Sequence, residues 1–311
     1  MLNKMKIKPL NTSILFLIFN RPDTTQRVFN EIKKVQPKQL FVVSDGARSE
    51  DEKEIVNETR KIIDQVDWDC EVHKNYSDKN LGCKIRVSSG INWFFENVEQ
   101  GIILENDCLP SQSFFWFCEE LLNKYKNNEK IMMISGDNFQ LGKNKVSCDY
   151  YFSKRNFHIW GWATWKKAWG KYNLEMKEWP KIKNSKILEE TYLNKKVLKE
   201  KKEVFENTYS NLIDTWGYQW LFTCILNKGL SIIPNKNLVS NIGFGKKSTH
   251  TKDAHNPFSK IKNHELKFPL THPEKIFFNE KADDFTENYK KAFIFNFFVK
   301  IKVLVYNLYK K

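Results

Sequence analysis

The sequence predicts an α/β protein: a mostly parallel, twisted sheet with helices on both faces, in three layers. Three observations predict it. Short apolar runs, often β-branched, recur between residues 13 and 233. Stretches with apolar residues at helical spacing separate them. Several of the runs end in carboxylates, amides or glycines, which open α/β sheets present to ligands at the C-terminal edge. Strands alternating with helices imply βαβ units, and right-handed crossovers lay the helices on both faces of one sheet.

The elements follow in order. Ser13–Phe19 is the first strand; Pro22 stops it, and Asp23 or Thr24 stands where it can cap the helix Thr24–Val35. Leu40–Ser44 is the second strand, followed by the turn signal Asp45-Gly46. Asp51–Val66 reads as helix and Cys70–His73 as strand. Asn80-Leu81-Gly82 precedes the helix Lys84–Glu96, and its glycine lets backbone come close to a ligand. Gly101 introduces Ile102–Glu105, a buried strand. Ser113–Tyr125 is helical and Ile131–Ser135 a strand. The block Phe157–Trp165, with Trp169, has a Trp-Gly-Trp spacing that fits neither period, so it is expected as a shaped loop, either pocket wall or core. Residues 181–207 are heavily charged and read as a solvated helix or helix pair. Asp214–Asn227 is a helix ended by Gly229, then the strand Leu230–Ile233 and Pro234. This places one domain at 1–255 and an extension at 256–311.

A chain of 311 residues with 41% hydrophobic and 14% aromatic content can bury a full core, which excludes general disorder. Lys+Arg of 51 against Asp+Glu of 37 gives +14, which favours polyanionic partners. Nucleic acid is not expected among them, because the basic residues are spread out and match no module pattern. Six cysteines without a C-x-x-C argue against zinc and for free thiols in a reducing compartment. Neither a signal peptide nor an apolar run of ~20 residues is expected, hence no transmembrane span.

The chemistry concentrates at the strand ends. Glu105-Asn106-Asp107 follows the apolar run directly. Two carboxylates and an amide there can hold a divalent cation, and the cation a diphosphate; a solvated loop is the plainer alternative. Arg21 can reach a base or phosphate, and Asp45 can accept from a uracil N–H or a ribose hydroxyl; ordinary turns are the alternative for both. The loop Gly243–Thr251 could fold over a diphosphate. Ser248 and Thr249 would donate, Lys246 and Lys247 would balance charge, and His250 is a candidate metal ligand, phosphate contact or structural residue. The tail Tyr289–Lys311 mixes apolar residues with lysines. It reads as a basic amphipathic helix on an anionic membrane surface, or as one docked on protein.

Taken together, Ile-Phe-Asn-Arg-Pro (18–22), Val-Ser-Asp-Gly (43–46), Asn-Leu-Gly (80–82), Leu-Glu-Asn-Asp-Cys-Leu-Pro (104–110), Ser-Phe-Phe (113–115), Met-Ile-Ser-Gly-Asp-Asn-Phe (133–139), Trp-Gly-Trp-Ala-Thr-Trp (160–165) and Ser-Asn-Ile-Gly-Phe-Gly (240–245) resemble the GT-A glycosyltransferases. More narrowly, they resemble a bacterial family distantly akin to inverting N-acetylglucosaminyltransferases. The resemblance implies a Rossmann-like GT-A fold, a nucleoside-diphosphate sugar donor, most readily a UDP-sugar, and Mn²⁺ or Mg²⁺. The acceptor would be a surface glycan or lipid-linked oligosaccharide at the cytoplasmic face of the membrane. Arg21, Asp45 and Asn80 would lie near the nucleotide, Glu105 near the donor sugar, Asn106 near the ribose and Asp107 at the metal. The loop 246–250 would close on the diphosphate.

The chain departs from this pattern twice. Asn106 replaces a central acid, although an amide still serves a ribose hydroxyl. The aspartate expected within Trp216-Gly217-Tyr218 as general base is Gly217. Asp214, one helical turn earlier, and Asp137, at another strand end, are the substitute candidates. Without a substitute the chain would be a sugar-nucleotide-binding or scaffold protein.

Overall fold

The computed structural model describes residues 8–143, 146–244 and 261–288. The first half runs β1 (Ile14–Ile18), α1 (Pro22–Val35), β2 (Gln39–Ser44), α2 (Lys53–Lys61), β3 (Glu71–Tyr76), α3 (Gly82–Asn97), β4 (Gln100–Glu105), β5 (Cys108–Pro110) and α4 (Gln112–Tyr125). The second half runs β6 (Ile131–Ser135), β7 (Tyr150–Ser153), β8 (Trp162–Trp165), α5 (Lys166–Trp169), α6 (Trp179–Ile182), α7 (Lys186–Thr191), α8 (Lys195–Tyr209), α9 (Gly217–Leu226), β9 (Leu230–Pro234) and β10 (Val239–Asn241). Residues 280–288 are helical.

Eight strands form one sheet in the order β3-β2-β1-β4-β8-β6-β9-β7. β1, β2, β3 and β4 pair in parallel, as do β6 and β9. β8 runs antiparallel between β4 and β6, and β7 antiparallel on β9. β1 is the axis. All five of its residues are buried, and the period-two pleat sends them to opposite faces. Ile14, Phe16 and Ile18 enter one core; Leu15 and Leu17 enter the other. β2 divides likewise, Leu40 and Val42 against Phe41 and Val43. Phe29 of α1 and Phe117 and Leu121 of α4 fill the first core. Phe94 of α3 and a group of tryptophans fill the second. The sheet with helices on both faces is the three-layer architecture expected.

Four strands were not legible. β5, β7 and β10 are too short to show a period. β8 occupies the block expected as a loop: Trp162–Trp165 is buried throughout, and a strand covered on both faces loses its alternation. Gly161 makes the turn into it at φ +73, a conformation that suits glycine. The tryptophans beyond it are mostly core. Trp162 stacks on Trp216 at 5.8 Å and contacts Trp169 and Trp220.

Helix starts also differ from expectation. α1 begins at Pro22, with the ring at N1 and no side-chain cap from Asp23 or Thr24. The N-terminus of α4 is served from far away: Glu265 accepts from the N–H groups of Gln112 and Ser113 at 3.0 and 2.8 Å. Leu266 and Leu270 join the first core beside it. Among the described residues no helix is long and apolar enough to cross a membrane. The predicted tail helix and the loop 245–260 lie outside the described residues.

Candidate functional site

The C-terminal ends of β1, β2 and β4 open on a cleft of about 810 Å³. Arg21, Asp45, Asn80, Glu105, Asn106, Asp107, Asp137 and Asp214 all line it. Lys246, Ser248, Thr249 and His250 lie outside the described residues.

The acidic triplet sits where β4 ends at Glu105. The chain turns over Asn106 and Asp107 into β5, which pairs antiparallel with β10. That ribbon steadies the turn, because the Ile242 N–H donates to the Asp107 carbonyl at 2.8 Å. Arg21, just past β1, grips both partners. Its Nη1 donates to Asp107 Oδ2 at 2.8 Å and its Nη2 to the Gly243 carbonyl at 2.7 Å. Each side chain of the pair keeps 18% of its surface exposed toward the cleft, so both remain reachable. A Cβ at position 243 would lie 1.9 Å from Asp107 Oδ2 and 2.8 Å from Arg21 Nη1, so the glycine is what lets this pair sit where it does.

Among the described residues Glu105 has no side-chain hydrogen bond. Burial, and then the charge of Asp107, push its carboxyl well above the ordinary range. Burial also raises Asp107, but the Arg21 charge and hydrogen bond oppose the shift. Of the two, Glu105 is the harder to ionise, because the guanidinium stands beside Asp107.

Asp45 and Asn80 are turned inward. Asp45 Oδ1 accepts from the N–H groups of Gly46 and Leu81, both at 2.9 Å. Its Oδ2 accepts from the Gly82 N–H at 3.0 Å and from Asn80 Nδ2 at 3.1 Å. Asn80 Nδ2 also donates to the Gly46 carbonyl at 2.7 Å. Both side chains hold the turn that starts α3. Asp137 is fully buried and accepts from the Trp160 N–H at 2.9 Å, bracing the turn before β8. Asp214 instead stands exposed on the lip ahead of α9, not on the helix face expected from its spacing to Gly217. Its Oδ1 accepts from the Lys84 N–H at 3.2 Å. Cys83 lines the same cleft, and burial, then the charges of Glu105, Asp214 and Asp45, push its thiol to about 12. Gly217 lines the same cleft, with Ile159 Cδ1 2.8 Å from where its Cβ would be.

Several cleft residues were not picked out from sequence. Arg48 ion-pairs with Glu52 and lies over the Phe19 ring at 5.3 Å. That pairing holds the Glu52 carboxyl down to about 2, and Glu52 also accepts from Asn20 Nδ2 at 2.6 Å. Arg86 ties the ends of β2 and β3, donating to the Ser44 carbonyl at 3.1 Å and to Asn75 Oδ1 at 2.8 Å. Arg155 and Lys201 line the far end, where Arg155 pairs with Asp284 and Glu287 at 2.8 and 3.0 Å. For Arg48 the Phe19 strand end was a usable signal; Arg86 and Lys201 are single basic residues within helices and Arg155 lies in a bend after β7, and these gave none.

Within the described residues the carboxylate expected at the metal is already engaged. Asp107 Oδ2 is held by Arg21, and its Oδ1 accepts weakly from Cys108 Sγ at 3.6 Å. No three His, Cys, Asp or Glu side chains cluster as ligands among the described residues. All six cysteines are free.

No protein-family profile matches the chain, and no curated protein matches it in sequence. Among solved structures it is similar to a cytidylyltransferase from Leptospira borgpetersenii, at 11% identity over 62% of this chain and 73% of that one, with a TM-score of 0.33. It is also similar to mouse xyloside xylosyltransferase 1, at 10% identity over 70% and 81%, with a TM-score of 0.34. A third is the 4-diphosphocytidyl-2C-methyl-D-erythritol synthase from Anaerococcus prevotii, at 11% over 52% and 75%, with a TM-score of 0.31. The chemistry of the site therefore has to be read from this chain's own side chains.

Proposed function

We propose that the chain transfers a glycosyl unit from a nucleoside-diphosphate sugar to an acceptor hydroxyl, with inversion at the anomeric carbon. The observation that carries this reading is the convergence of Glu105, Asp107, Arg21 and Asp214 on one cleft at the C-terminal edge of the sheet. A neutral Glu105 donates a hydrogen bond to a sugar hydroxyl and accepts another through its carbonyl oxygen. Asn106 has both donor and acceptor to offer a ribose. Asp214, exposed on the lip, takes the acceptor's proton as the hydroxyl attacks. Asp137 is the weaker candidate, since it is buried and engaged by the Trp160 N–H. The departing diphosphate requires fixed positive charge.

The acceptor is a glycan or lipid-linked oligosaccharide in this reading, and the basic segment 289–311 holds the protein on anionic lipid. Sedimentation with vesicles rich in phosphatidylserine, with and without that segment, tests the second point. Loss of binding on its removal is expected.

The central test is donor turnover with UDP-, GDP- and CMP-sugars. Asp214→Asn should lower turnover by ~10²–10⁴ while leaving donor affinity unchanged. Unchanged turnover removes Asp214 from the role. A second reading, a sugar-nucleotide-binding protein without turnover, is favoured by Gly217. Gly217→Asp separates the two, because only the mobile tip of Ile159 obstructs the new side chain. A steep gain in turnover means that the base was missing; little change means that Asp214 already supplies it.

A further inference from the structure

We infer that Arg21 is the resident cation of this site: its guanidinium, seated on Asp107, receives the donor's diphosphate in place of a divalent metal there. The inference rests on the nucleotide-sugar reading and names the group that meets the phosphates. Three observations carry it. The first is the two-handed grip of Arg21 on Asp107 Oδ2 and the Gly243 carbonyl, at 2.8 and 2.7 Å. This fixes the plane of the guanidinium yet, among the described residues, leaves its other N–H groups for a ligand, and that fork matches phosphate oxygens.

The second is crowding around Asp107. The backbone at Gly243 comes so close to Oδ2 that even a methyl group is excluded, and Oδ1 faces the buried Cys108 thiol. Both carboxylate oxygens are therefore already engaged, Oδ2 by Arg21 and Oδ1 by Cys108. The third is charge, for the guanidinium already stands on Asp107. A divalent ion on Asp107 would sit against the guanidinium, whereas a diphosphate is attracted to it.

Calorimetric titration of the full chain with UDP and with GDP, in EDTA and in Mn²⁺, tests this on wild type, Arg21→Lys and Asp107→Asn. One nucleotide is expected to bind wild type in EDTA within a few-fold of its affinity in Mn²⁺. Arg21→Lys keeps the charge but loses the fork and should bind roughly tenfold or more weakly. Asp107→Asn keeps an oxygen for Arg21 but removes the competing anion, so its affinity in EDTA should match or exceed wild type. Binding that requires Mn²⁺ and disappears in Asp107→Asn overturns the inference and leaves the nucleotide-sugar reading standing. Absence of binding to wild type in both conditions overturns both. Should Arg21→Lys not fold by circular dichroism, the Asp107→Asn titration in EDTA decides by itself.

Discussion

Two residues set the chemistry of the cleft, and each makes a separate prediction. Glu105 is harder to ionise folded than unfolded. Between the ordinary carboxylate pKa and the raised one, the folded state binds the extra proton, so stability falls as pH rises through that window. Glu105→Gln cannot ionise. Its melting temperature should exceed that of wild type at about pH 8 and converge with it near about pH 4; parallel curves at every pH would show that Glu105 is charged in the fold. Gly243 acts by having no side chain. Gly243→Ala forces Asp107 and Arg21 apart, so nucleotide affinity in EDTA should fall roughly tenfold or more while the far-UV spectrum is unchanged. At this scale the sequence was informative about place and less so about role. Strand ends announced Arg21, Asp45, Glu105 and Asp107, and all four line the cleft. That Asp45 braces a turn, and that Arg21 sits on Asp107, depend on contacts between segments far apart in sequence, for which a single chain carries no local signal.

Elements with a strong period were legible and those with none were not. β1, β2, β4 and β6 fall close to the predicted spans because each is a short apolar run set off by glycine or polar residues. β8 was hidden by its burial on both faces, and β5 and β10 by their length. The start of α4 shows a further limit: the cap comes from Glu265, some 150 residues away by the hydrogen-bond register. Removing that carboxylate leaves two N–H groups at a helix terminus without their acceptor. Glu265→Ala should therefore cost about 0.5–2 kcal/mol. Urea denaturation checks it, with a lower midpoint and an unchanged slope expected; an unchanged midpoint would show that solvent serves those N–H groups equally well.

At the scale of the whole molecule, one sheet separates two cores, and the segment 261–288 is fastened to that body at several points. Leu266 and Leu270 lie in the first core. Asp283 is fully buried, accepting from Asn156 Nδ2 at 2.8 Å and from the Ser153 hydroxyl, while Asp284 and Glu287 neutralise the buried Arg155. A chain ending at 255 would lose the buried carboxylates Asp283 and Glu287 around Arg155 together with the Leu266 and Leu270 contacts. A chain ending at 288 should thus unfold cooperatively near the wild-type temperature, and one ending at 255 should not; equal transitions would show that the later segment is dispensable to folding. The rim made by Phe19, Arg48 and Glu52 is different in kind. It hangs beyond the strand ends and belongs to neither core, so its residues are exchangeable without repacking the interior. Substitutions can therefore accumulate at that rim while the two cores beneath it are inherited whole.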